Sequence, residues 1–170
     1  LETSQMFLVE AEDATEAAGR IVAGVHPDRL RAVHQVEPDD VQVLSPMKKG
    51  PLGTIALNEA LRRVLNPDGE ALQHFPDWHL GDRIIFTRNN YGAGYLNGDQ
   101  GRIVGDEKPE KEAARLIVDV DGGLVLVDKV DAFDLQLGYA ITVHKSQGSE
   151  WPLVVIACHT THYIMLQRTL

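Results

Sequence analysis

From Tyr139 to Trp151 the chain reads Tyr-Ala-Ile-Thr-Val-His-Lys-Ser-Gln-Gly-Ser-Glu-Trp, and nine of these thirteen residues carry a hydroxyl, imidazole, ammonium, amide, carboxylate or indole group. The segment leads straight into Pro152–Cys158, an almost purely apolar run. A polar cluster this dense, delivered onto a buried strand, is poor material for a core and good material for a site. The hydroxyl of Thr142, the imidazole of His144 and the ammonium of Lys145 can hold a nucleic-acid phosphate or sugar, and the Glu150 carboxylate can hold a ribose hydroxyl. Gly148 permits a turn or a close backbone approach to a phosphate. The plain alternative is an exposed helix, running from about Ala140 to Gln147 and closed by a glycine.

Two further blocks carry chemistry. The loop Ser45-Pro46-Met47-Lys48-Lys49-Gly50-Pro51-Leu52-Gly53 sits between an expected strand and an expected helix, where parallel α/β folds place ligands. Lys48 and Lys49 offer point charges to phosphate, or they are two solvated lysines. Downstream come Gly81-Asp82-Arg83, Thr87-Arg88-Asn89-Asn90-Tyr91 and Leu96-Asn97-Gly98-Asp99. Arg88, Asn89, Asn90 and Tyr91 could meet DNA through its backbone and by stacking, or serve structure alone. Asn97-Gly98 is most simply turn chemistry.

Other clusters are weaker. Asp106-Glu107 ends a hydrophobic run like an ATPase metal site, but Lys108-Pro109-Glu110-Lys111 follows, which reads as a charged surface loop. Cys158, His159 and His162 lack a fourth zinc ligand. Glu10, Glu12, Asp13 and Glu16 read as a solvated helix start favoured by the helix dipole. No lysine follows a glycine, so the chain has no Gly-x-x-x-x-Gly-Lys loop to cradle β- and γ-phosphates.

The elements that must position these groups are legible in outline. Gln5–Glu10 reads as a short buried strand. Asp13 caps a helix whose stripe is Ala17, Ala18, Ile21, Val22 and Val25, stopped at His26-Pro27. Asp39–Leu44 is a second strand, and a helix from about Gly53 to Leu65 buries Leu57, Ala60, Leu61, Val64 and Leu65. After Pro76 the runs shorten: Leu80–Arg88, Gly101–Gly105, Ala113–Val120 and Leu124–Lys129, with Asp121-Gly122 as a strong hairpin signal. Leu153–Cys158 is a buried strand. The order suggests an α/β domain with a parallel sheet, interrupted by a small β-barrel.

The bulk properties are those of a globular chain. It has 170 residues, 44% of them hydrophobic and 24% charged, with one cysteine and a net charge of −9. Residues 1–40 hold nine acids and three bases, a net of −6, and the remaining sixteen acids and thirteen bases give −3. That balance argues against a protein that simply coats nucleic acid. One cysteine excludes an internal disulfide, and no apolar run approaches the ~18 residues that span a bilayer. A cytoplasmic setting without membrane contact is expected. Leu1 in place of Met suggests a segment of a longer protein.

The Tyr139–Trp151 string resembles the Thr-x-His-Lys-x-Gln-Gly-x-Glu pattern, the fifth conserved motif, of RecD-like and TraA-like superfamily-1 helicases. Trp151 stands where phenylalanine is more usual and should pack beneath the strand. Ser45–Gly53 is similar to the family's Pro-Met-x-Arg-Gly-x-x-Gly stretch, with Lys49 in place of arginine, and Asn58 and Asn66-Pro67 also match. The Gly81–Gly101 block resembles the opening of the family's inserted Src-homology-3-like barrel. The blocks occur in family order over roughly residues 41–168. The resemblance implies residues 1–76 and 133–170 as parts of the second RecA-like motor domain and 77–132 as the inserted barrel. By the same resemblance Thr142 and His144 face single-stranded DNA, Gly148 and Glu150 face the nucleotide, and Lys49 takes the phosphate-binding position. It implies a parent that hydrolyses ATP with Mg²⁺ and moves 5′ to 3′, working with the first motor domain of the same chain and with nuclease–helicase partner subunits in some systems. Met165–Leu170 would lead into the arginine-bearing sixth motif, Arg168 preceding it, so the segment alone is expected to be inactive. A conjugative relaxase or a non-catalytic binding module built on this domain are the other readings.

Overall fold

The computed structural model describes residues 6–159. Helix α1 spans Ala14–Gly24. The Asp13 carboxylate accepts the N–H groups of Thr15 and Glu16, both at 2.8 Å, which satisfies donors a helix start leaves open. Glu16 accepts from the Glu12 N–H at 2.6 Å and pairs with Arg20. Those two contacts, the backbone one first, hold its carboxyl below the usual range. The apolar stripe of α1 packs with Val41, Val43, Leu57 and Leu61. Pro27 then opens a short turn, α2 (Pro27–Arg29), continued by a π-helical turn over Leu30–His34.

The strand expected at residues 5–10 is a correction. Residues 6–10 are not in a strand, and Met6, Phe7, Leu8 and Val9 are exposed. β-propensity becomes a strand only where a neighbour supplies the ladder, and none among the described residues does. Gln5 lies outside the described residues.

Strand β1 (Val41–Ser45) is buried along its whole length. It forms the centre of a three-stranded parallel sheet, flanked by β7 (Ala140–Thr142) and β8 (Leu153–Ile156). Helix α3 (Thr54–Leu65) covers it with Leu57 and Leu61. Two expectations need correcting here. Ala140–Thr142 is a strand rather than a helix start, because pairing with β1 fixes its backbone, and only Val143–Ser146 form a 3-10 turn. Among the described residues β8 is an edge strand, half-buried on one side. Its faces alternate, and the outward one leaves Ile156 58% exposed.

The second sheet is antiparallel, in the order β5-β4-β3-β2-β6. Its strands are β2 (Arg83–Phe86), β3 (Gln100–Glu107), β4 (Arg115–Val120), β5 (Gly123–Asp128) and β6 (Leu135–Leu137). Asp121 and Gly122 join β4 to β5 with φ of 50° and 83°, the left-handed pair that a two-residue hairpin matched to strand twist requires. Pairing shifts between Ile103 and Gly105, leaving Val104 as a bulge. Phe86 and Tyr95 stack at 4.0 Å in a core with Ile84, Ile103, Leu116 and Val127. β5 and β6 are the two edges, so the ladder does not close into a ring. Asp106 and Glu107 belong to the end of β3 rather than to a loop. Asp106 accepts from the His74 N–H at 2.6 Å and meets its ring at 3.0 Å.

Candidate functional site

Strand β1 ends at Ser45 and β7 at Thr142, side by side in the parallel sheet. Both following segments therefore emerge at one carboxyl edge. The Ser45 hydroxyl donates to the Leu52 carbonyl at 2.6 Å and accepts from the Met47 N–H at 3.2 Å, which folds the loop back on itself. The loop then lies so close to α3 that a Cβ on Gly53 would sit 2.5 Å from the Lys49 backbone. The first amides of α3 are consumed by that loop: Thr54 donates to the Met47 carbonyl at 2.9 Å and Ile55 to the Lys48 carbonyl at 3.2 Å. The amides of Thr54 and Ile55 are therefore not open to an anion at this edge.

Lys48, Thr142 and Lys145 come together here. With Thr54, Asn58 and Ile85 they line one small cleft between the two sheets. Among the described residues neither lysine has a carboxylate partner. Partial burial, and then the charge of Lys48, lower the pKa of Lys145. The Lys145 ammonium donates to the Phe86 carbonyl at 3.4 Å. His144 is exposed on the same turn. Trp151 packs with Leu44, Ile85 and Ile141, as expected for the residue under the strand.

Lys49, Gly148 and Glu150 are exposed. Gly148 has a φ of 86° with open space around it. No hydrogen bond or ion pair joins these three among the described residues, so each is available to a ligand.

The Arg88–Tyr91 block divides. Asn89 accepts from the Asn97 N–H at 2.7 Å. Asn90 accepts from the Ala93 N–H at 3.0 Å and donates to Asp131 at 3.1 Å. These two asparagines build the loop. Tyr91 is 81% exposed and its hydroxyl accepts from Asn89 at 3.4 Å. Arg88 is 77% exposed, with Asp134 at 3.4 Å. Asn97-Gly98 is a turn, with the Asp99 N–H donating to the Leu96 carbonyl at 3.1 Å.

A buried polar network that sequence reasoning missed ties this site to the antiparallel sheet. Asp82, 0% exposed, accepts from Arg62 Nε at 3.0 Å and from Arg62 Nη2. It also accepts from Asn66 at 3.1 Å, the Tyr139 hydroxyl at 3.1 Å and the His79 N–H at 2.8 Å. Burial, and then the Asp82 charge, push the Tyr139 phenol up to about 12. Asn58 donates to the Leu137 and Ala140 carbonyls, both at 2.9 Å, and accepts from the Ala140 N–H at 2.7 Å. Gln42 donates to the Gly138 and Tyr139 carbonyls at 3.2 and 3.0 Å and accepts from Arg83 at 3.2 Å. Burial lowers the pKa of Arg83, whose guanidinium also donates to the Val41 carbonyl at 2.9 Å. The crossing chain passes so near β2 that a Cβ on Gly138 would lie 2.9 Å from the Ile84 backbone. The signal was the presence of Asn58, Asn66 and Asp82-Arg83 in the matching blocks, but nothing in their spacing disclosed that they meet.

Residues 57–120 match the family model described as ATP-dependent RecD-like DNA helicase SH3 domain, and residues 137–170 match that of the UvrD-like helicase C-terminal domain. The ATP-dependent RecD2 DNA helicase of Deinococcus radiodurans is 43% identical over 135 residues, covering 78% of this chain and 18% of that protein. The chain belongs to the RecD-like DNA helicases. The RecBCD enzyme subunit RecD of Mycolicibacterium smegmatis is 29% identical over 133 residues, 78% of this RecD-like chain and 22% of the relative. The chain thus spans about a fifth of the length of the curated relatives it matches. Among solved structures, Bacteroides Pif1 helicase in complex with ADP-AlF3 and single-stranded DNA has a TM-score of 0.45 at 17% identity, covering 94% of this chain and 46% of that one. Strands β2, β3 and β4 lie in the matched SH3 segment, and β7 and β8 lie in the matched C-terminal segment.

Proposed function

We propose that this chain is part of the second RecA-like motor domain of an ATP-dependent DNA helicase that moves 5′ to 3′ on single-stranded DNA. In that reading residues 77–132 are the inserted Src-homology-3-like module, and 1–76 with 133–170 belong to the motor domain. The observation that carries it is the convergence of Lys48, Thr142 and Lys145 at the carboxyl edge of adjacent parallel strands, in a chain whose relative is named an ATP-dependent DNA helicase.

Thr142, Lys48, Lys145 and His144 form the DNA wall. A hydroxyl and two ammonium groups that have no carboxylate partner among the described residues hold backbone phosphates without reading bases. Arg88 and Tyr91 extend the path, Tyr91 as a stacking surface for a base, while Asn89 and Asn90 fix the loop that presents them. Lys49, Gly148 and Glu150 form the nucleotide wall. The exposed Glu150 carboxylate can accept from ribose hydroxyls, and the exposed Lys49 side chain can reach a phosphate. ATP and Mg²⁺ complete that wall with groups from the first motor domain. ATP supplies the phosphoryl group whose hydrolysis drives stepping; these residues orient it.

The test is single-stranded oligonucleotide binding as a function of salt, with DNA-stimulated ATPase in the full-length protein. His144→Ala is expected to lower the stimulation. An unchanged rate would remove His144 from the DNA wall. The 170-residue chain alone is expected to show no ATP turnover, and measurable turnover would refute the half-site reading.

A further inference from the structure

Lys145 sits where two demands meet. Its ammonium donates to the Phe86 carbonyl at the end of β2. The same carbonyl accepts from the Gly98 N–H at 2.9 Å, in the turn on which the Asn89 loop is docked. Phe86 is thus the root of the Thr87–Tyr91 loop and of its supporting turn. On its other side Lys145 lines the cleft with Lys48 and Thr142. Two cations facing one cleft with no carboxylate between them make a site that favours an anion.

We propose that Lys145 is a two-partner contact, holding the Phe86 carbonyl when the cleft is empty and turning to a backbone phosphate, shared with Lys48, when single-stranded DNA enters. The exchange tells the Arg88–Tyr91 loop of the antiparallel module whether the motor's cleft is occupied. This rests on the DNA reading given above and adds a regulatory step to it. The contact suits an exchange. At 3.4 Å it is long for an ammonium–carbonyl hydrogen bond, and losing it leaves the carbonyl satisfied by Gly98 while removing one of the two contacts at the root of the loop. A charge-assisted bond to phosphate is the stronger of the two. Burial beside Lys48 already disfavours the lone ammonium, which an anion relieves.

The experiment uses the full-length protein as wild type, Lys145→Met, Lys145→Arg and Lys48→Met. Two quantities are read: the salt dependence of affinity for oligo-dT, and amide hydrogen exchange over residues 87–98 without DNA. Lys145→Met is expected to lower the slope of log K against log salt by about one and to speed exchange over 87–98. Lys48→Met is expected to lower the slope equally and leave exchange as in wild type. Lys145→Arg is expected to restore the slope. A lowered slope with unchanged exchange in Lys145→Met overturns the coupling and leaves the DNA reading standing. Faster exchange with an unchanged slope makes Lys145 a strut and also overturns it. Absence of oligo-dT binding by the wild type overturns both readings.

Discussion

Replacing Asp82 by asparagine keeps the side chain's shape and removes its charge. The carboxylate receives five hydrogen bonds from four groups: two from Arg62, and one each from Asn66, Tyr139 and the His79 backbone. An asparagine amide group donates and cannot accept. Oriented with its nitrogen at the Oδ2 position, it faces Arg62 Nη2 and the His79 N–H. Flipped, it faces Arg62 Nε, Asn66 and the Tyr139 hydroxyl. Either way at least two buried donors lose their acceptor, and Arg62, whose side chain is 13% exposed, loses its counter-charge. Breaking one side of a buried pair costs ~3–5 kcal/mol, against a typical domain stability of about 5–15 kcal/mol. Urea unfolding of the 170-residue chain is expected to show the midpoint fall at constant slope, with the loss in unfolding free energy within that range. Arg63→Gln, an exposed change on the same helix, is expected to stay within ~0.5 kcal/mol. A loss under about 1 kcal/mol for Asp82→Asn would mean that water reaches the network, and the argument from its burial would fail.

Three more outcomes follow from the same contacts. The Tyr139 phenol has a folded pKa raised from 10.0 to about 12, so the neutral phenol is the form the fold accommodates. Stability from this group is whole below pH ~10 and declines between ~10 and ~12, by up to ~3 kcal/mol; that decline is expected to vanish in Tyr139→Phe, and an identical pH profile for both would refute the assignment. Asn58→Ala strands the Ala140 N–H and two carbonyls, and is expected to cost ~2–3 kcal/mol in thermal or urea unfolding; a neutral result would show that the crossing segment re-pairs without it. Tyr91→Ala should leave the melting temperature unchanged, since the ring is exposed, yet weaken single-stranded DNA binding by about 1–3 kcal/mol; equal affinity would remove Tyr91 from the path.

Local chemistry was what the sequence disclosed well. Asp13 before an apolar stripe, Asp121-Gly122 between two β-type runs and Asn97-Gly98 are each decided within a few residues, and each is where it was expected. Elements decided by a distant partner were misread. Residues 6–10 have strand-forming side chains and no ladder. Ala140–Thr142 is a strand because β1 lies beside it, and three residues carry no readable period. β6, also three residues, left no sign at all. β8 looked buried on both faces because its run is apolar, whereas among the described residues no layer covers the face that carries Val154 and Ile156. The blocks around Lys48, Thr142 and Lys145 were visible as chemistry, but their meeting, and the Asp82 network behind them, depends on contacts between residues that lie far apart in the chain.

The pairing of β1 has a consequence for how the chain is made. Both of its neighbours come late: Val43 pairs with Ala140 and with Val155. At ~5–20 residues per second, a ribosome needs about 5–20 seconds to supply the first of them. In that interval β2–β5 can form their hairpins, since these contacts are local and close quickly, while the apolar strand Val41–Leu44 has both edges open. The antiparallel module is thus expected to fold before the parallel sheet, which is completed only when β7 and β8 arrive. In an interrupted synthesis the exposed β1 edge, rather than any loop, is the part most prone to pairing with another chain.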